Sequence, residues 1–92
     1  MNTMKLMEIC EAIKNLMNTT GCNLIVGSDI NNNFYCHLED CYIAENSVLN
    51  GDCGRGKTIE DAMEEYLALI RGRKLVIHPS GKNRKEMFVI GW

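Results

Sequence analysis

The chain predicts an α+β fold: a single domain over residues 1–92, ordered α-β-β-β-α-β-β, with an antiparallel sheet and helices packed on one face. Two segments, near residues 6–17 and 58–71, repeat apolar residues at three- and four-residue spacing. Several short runs between and after them are β-rich or alternate apolar with polar residues. No repeat, low-complexity stretch or linker divides the 92 residues, which suffice for one core of helix on sheet.

In the first helix Leu6, Ile9, Cys10, Ile13, Leu16 and Met17 make the apolar stripe, with Lys5, Glu8, Glu11, Lys14 and Asn15 between them and Gly21 as the stop. Cys22 to Gly27 reads as a strand, and the Asp- and Asn-rich stretch Ser28 to Asn33 reads as the turn of a hairpin. Phe34, Cys36 and Leu38 alternate with Tyr35, His37 and Glu39, which predicts a half-buried second strand. Cys41 to Ala44 forms a third strand after a tight turn at Glu39–Asp40. The second helix presents Ile59, Met63, Tyr66, Leu67 and Ile70 on one face and Glu60, Asp61, Glu64 and Glu65 on the other. Beyond Gly72, the runs Lys74 to His78 and Glu86 to Ile90 form a strand pair joined by Pro79, Ser80, Gly81 and Asn83.

The one named motif is GDCGRGKT, Gly51 to Thr58, a match to the phosphate-cradling pattern G-x-x-x-x-G-K-[ST] placed just before the second helix. Glycines let backbone N–H groups converge on an anion, the helix N-terminus adds partial positive charge, and Lys57 supplies a counterion, so Gly54, Gly56, Lys57 and Thr58 are candidate phosphate-binding residues. An NTP-hydrolysing enzyme also needs a parallel sheet and an acidic strand for magnesium, and neither is legible. The structural alternative makes Thr58 a helix N-cap ahead of an acidic first turn, with Gly51, Gly54 and Gly56 turning the chain from strand into helix.

Five cysteines, at 10, 22, 36, 41 and 53, with no export signal, predict reduced thiols and buried small apolar side chains rather than a disulfide framework. Zinc would need Cys36, Cys41 or Cys53 with His37 or His78, but no C-x2-C pair exists. No metal or cofactor is expected, and no nucleophile–base set or carboxylate pair stands out, so the chain reads as a non-enzyme. No apolar run approaches the roughly 18 residues that would span a membrane.

Charge is segregated. Residues 1–54 hold two basic and seven acidic side chains, whereas residues 55–92 hold eight basic and five acidic. Arg55, Lys57, Arg71, Arg73, Lys74 and Arg84, with Lys82 and Lys85, are therefore candidates to bind a phosphate-bearing or acidic partner. The alternative is a solvated rim in which Arg71, Arg73 and Lys74 complement a helix C-terminus. Trp92 is a candidate anchor in a partner's pocket, or else it packs on the final strand. The six methionines fill the core or make an adaptable surface, and an open edge at 86–90 invites homodimerisation.

The stretch FYCHLEDCYIAENSVLNGDCGRGKTIEDAMEEYLALI, Phe34 to Ile70, resembles the strand–glycine loop–helix core of HicB-type antitoxins, in which G-x-G-x-T precedes a helix that begins with acidic residues and Ala. That resemblance implies a scaffold of partial ribonuclease H or double-stranded-RNA-binding-domain shape, with a structural role for Gly54, Gly56 and Thr58. The predicted opening helix departs from the family pattern, which opens with a strand. The ending IRGRKLVIHPSGKNRKEMFVIGW is similar in style to small accessory proteins of phages and mobile elements. This similarity implies a cytoplasmic protein of the host bacterial cell, acting by contact on a host defence component, foremost a CRISPR nuclease with its guide RNA, in the manner of anti-CRISPR inhibitors. The alternatives are a nucleotide-binding sponge using the Gly51–Thr58 loop, Arg55 included, and a HicB-like antitoxin.

Overall fold

The computed structural model describes residues 5–90, so Trp92, Met1 and Met4 lie outside the described residues. The elements run α1 (Leu6–Thr20), β1 (Leu24–Ser28), β2 (Phe34–Leu38), β3 (Cys41–Glu45), β4 (Val48–Asn50), β5 (Gly54–Gly56), α2 (Ile59–Ile70), β6 (Lys74–Ile77) and β7 (Lys85–Phe88). The α+β class and the expected order hold, with two short strands, β4 and β5, added in what reads as a loop. Three residues each are too few for a period-two pattern to register.

The strands form two antiparallel sheets, ordered β1-β2-β5 and β4-β3-β6-β7. β2 and β3 do not pair. The chain passes from one sheet to the other at Asp40, whose φ of 52° redirects the backbone, and returns through residues 51–53 into β5. The β3–β4 connection is a two-residue turn, Asn46–Ser47, with φ of 51° and 67°. Positive φ at both residues matches the twist of a hairpin.

Helix α1 ends where Gly21 adopts the left-handed conformation at φ 73° and its N–H donates to the Met17 carbonyl at 2.9 Å. Its buried stripe is Ile9, Ala12, Ile13, Leu16 and Thr20, rotated from the expected one, since Leu6 and Cys10 are exposed. Thr20 is buried without penalty because its hydroxyl donates to the Leu16 carbonyl (2.7 Å) and accepts from the Cys22 N–H (3.1 Å). The β1–β2 turn is held by Asp29, whose Oδ1 accepts the N–H groups of Asn31 and Asn33 at 2.8 and 3.1 Å.

Helix α2 lies across β2 and β5 and touches α1. Ala62, Met63, Tyr66, Leu67 and Ile70 are buried, while Ile59 at the first turn is exposed. Its centre is Tyr66, whose hydroxyl accepts the Leu38 N–H at the end of β2 (3.2 Å) and lies beside the Cys41 thiol at the start of β3. One polar group on α2 thus serves both sheets. The core beneath it joins Cys36, Leu38, Ile43, Leu75 and Ile77 from the strands to Ile13 and Leu16 from α1.

Candidate binding surfaces

Gly54 and Gly56 of the GDCGRGKT segment are required by space rather than by turning. Neither Gly54 nor Gly56 has a positive φ; both are extended in β5, opposite Cys36 and Phe34 of β2. Helix α2 runs so close above them that a Cβ at Gly54 would fall 2.6 Å from Tyr66 Cβ and strike the Ala62 carbonyl. A Cβ at Gly56 would lie 2.8 Å from the Ala62 nitrogen. The groups expected to face an anion already have protein partners: the Arg55 N–H donates to Glu65 Oε1 at 3.0 Å, and Thr58 Oγ1 accepts the Asp61 N–H at 3.0 Å as the N-cap of α2. The backbone around Lys57 is therefore a strand running into a capped helix, not a loop curled around a cavity.

The basic residues do not form one field. Arg73 pairs with Glu45 at 2.9 Å, and Lys74 and Arg84 converge on Glu86 at 2.6 and 3.0 Å. Hydrogen bonds from Lys74 first and Arg84 second hold the Glu86 carboxyl below the usual carboxylate range. Arg55 stands apart, its guanidinium carbon 6.0 Å from the centre of the Tyr35 ring. Among the described residues Lys57, Arg71, Lys82 and Lys85 make no ion pair, and they lie on three different segments. Charge segregation along the chain is thus partly cancelled in space, because Glu45 and Glu86 sit beside the cations of β6 and its flanks.

Asp40 and His78 form a second polar bracket, at the end of the β3–β6 ladder. Both have φ of 52°; the His78 N–H donates to the Asp40 carbonyl and His78 Nδ1 lies 2.9 Å from Asp40 Oδ2. Cys22, Cys36 and Cys41 are buried and Cys53 is half-buried. Burial pushes the Cys36 thiol up to about 11 and the Cys41 thiol up to about 12, the neighbouring Cys53 and Cys22 adding to the effect. Among the described residues no three His, Cys, Asp or Glu side chains are grouped to hold a metal ion. No helix of those residues is long and apolar enough to cross a membrane.

Sequence reasoning missed the apolar surface. An open groove of about 410 Å³ runs between α1 and the end of β7, lined by Ala12, Leu16, Thr19, Met87, Phe88 and Ile90 among others. Phe88 is 68% and Ile90 88% exposed at its rim. The run Glu86 to Ile90 read as a strand, and the signal for the groove was its four consecutive apolar residues, Met87 to Ile90, since a strand turns successive side chains to opposite faces and one core cannot cover them all. Comparison with protein-family models, with curated proteins and with solved structures finds no match for the chain.

Proposed function

We propose that the chain is a non-enzymatic binding domain whose partner is another protein. The observation that supports this reading most is the α1–β7 groove, where Phe88 and Ile90 flank an apolar floor next to α1. Clustered exposed apolar groups of this kind are what a partner's side chains cover. The charged groups that do cluster, Asp40 with His78 and Glu86 with Lys74 and Arg84, are matched within the chain and so are spent on the fold.

In its narrower form, the partner is a host defence protein, a guide-RNA-bound nuclease first, inhibited by direct contact. Small size and the segregated charge of the sequence support that form, since an acidic first half suits a basic nucleic-acid channel. The test is a target-cleavage assay with the nuclease titrated by the wild-type chain and by Phe88→Asp. Stoichiometric inhibition lost in the variant supports the narrow form. Cleavage untouched by the wild-type chain removes it, and affinity capture from host lysate with the same two proteins then decides the broader one. A partner retained equally by Phe88→Asp would move the binding surface away from the groove.

A further inference from the structure

The two sheets have four edge strands, and three of them carry a feature that discourages pairing. The N–H of Arg55 on β5 is taken by Glu65, β4 is only three residues long, and β7 bears Lys85 and Glu86. β1 carries none. It is five residues of LIVGS with no charge and no proline, and Ile25 and Val26 on it are 36% and 42% exposed.

Its unpaired backbone groups can be assigned. Asn23 accepts from Glu39 and Asp29 donates to Asn33, so odd-numbered residues turn their N–H and C=O toward β2. Leu24, Val26 and Ser28 then present theirs to the open edge. The side chain of Val26 shares a face with Cys36, which is fully buried, so a valine on the core side of the sheet is left without cover at the rim.

We infer that β1 pairs antiparallel with β1 of a second copy of this chain about a two-fold axis at Val26, making one continuous sheet across both copies. In that register Val26 meets its own equivalent, and Leu24 meets Ser28, each exchanging both hydrogen bonds. On the opposite face Ile25 lands on the second copy's Gly27. That position is empty of side chain, and the Tyr35 ring lies across it: a Cβ on Gly27 would sit 2.9 Å from Tyr35 Cε2. Ile25 therefore packs against the edge of the second copy's Tyr35 ring. An uncharged strand also pairs with itself without setting like charges opposite one another. This moves the expected dimer edge from 86–90 to β1, and it does not depend on the partner proposed for the groove.

The experiment is sedimentation equilibrium over a wide concentration series on the wild-type chain, Val26→Lys, Val26→Thr and Phe88→Lys, with circular dichroism to check folding. The wild type, Val26→Thr and Phe88→Lys are expected to dimerise, and Val26→Lys to stay monomeric. A Val26→Cys chain adds a test independent of that variant's stability, because Cα atoms about 5.5 Å apart in a hydrogen-bonded pair are within disulfide reach. It is expected to cross-link under mild oxidant far faster than the wild-type chain with its native thiols. A wild type that is monomeric throughout, a dimer broken by Phe88→Lys but not by Val26→Lys, or no gain in cross-linking would each overturn the inference.

Discussion

The backbone N–H of Arg55 donates to the Glu65 carboxylate at 3.0 Å, so the protein's own anion occupies a donor that the phosphate-loop pattern would aim at a nucleotide. A second carboxylate-bearing residue, Asp61, places its N–H on Thr58. Titration calorimetry with ATP or GTP is accordingly expected to show no saturable binding, and Lys57→Ala to change nothing. Saturable heat abolished by Lys57→Ala would restore the nucleotide reading.

Close approach of α2 to β5 sets the cost of added volume. Gly54→Ala should destabilise by at least about 2 kcal/mol, because the obstructing atoms are helix backbone that cannot rotate away. Gly51→Ala meets only the Tyr42 ring at 3.4 Å and should stay within about 0.5 kcal/mol of wild type. Urea midpoints compare the two. Equal effects would mean that the strand–helix approach does not constrain the fold.

Thr58 is the N-cap of α2 through its hydroxyl. Thr58→Ala should lose about 1 kcal/mol, and Thr58→Ser, which keeps the oxygen, should be nearly neutral. Thermal melts of both variants give the answer, and unchanged midpoints in the pair would remove the capping role.

Buried thiols make the fold sensitive to alkali. Cys36 and Cys41 rise from 9.0 to about 11 and about 12, so above about pH 9 the unfolded chain releases protons that the folded chain keeps. The folded state then binds more protons, and stability falls as pH rises through that window, being fully retained below it. Urea unfolding across the window should show the decline, and Cys36→Ala should make it shallower. Thiol reagents on the native protein should modify exposed Cys10 first, Cys53 next, and the three buried thiols only on unfolding.

Period and punctuation made much of the fold legible. Gly21 as the stop of α1, Thr58 as the cap of α2, the Asp29 turn and the alternation of β2 all came from local chemistry, which a sequence displays directly. The separation of β2 from β3 did not, because a tight turn at Glu39–Asp40 is equally compatible with a hairpin and with a step between sheets. Likewise Gly54 and Gly56 read as residues that turn the chain from strand into helix, but the actual reason for them, helix backbone lying over a strand, is a tertiary contact. The basic candidates Arg73, Lys74 and Arg84 looked like a patch in one dimension. Glu45 meets Arg73 and Glu86 meets Lys74 through strand pairing, while Arg84 meets Glu86 by a short local reach, and only geometry shows the neutralisation.

The step at Asp40 also leaves β7 as an edge of the larger sheet, away from β1, β2 and β5. Sheet β1-β2-β5 and α2 draw only on residues 24–70, whereas the larger sheet recruits β6 and β7 from beyond α2 to reach β3. Tyr66 reaches Leu38 and Cys41, whose backbones belong to the two sides of that step. β6 is internal to its sheet and puts Leu75 and Ile77 into the core beneath Tyr66, whereas β7 is an edge strand that exposes Lys85, Glu86 and Phe88, so the β7 amides are expected to exchange with solvent through smaller openings than those of β2. A chain built this way can loosen its edge strand β7, and the groove beside Phe88 with it, without unfolding around Tyr66.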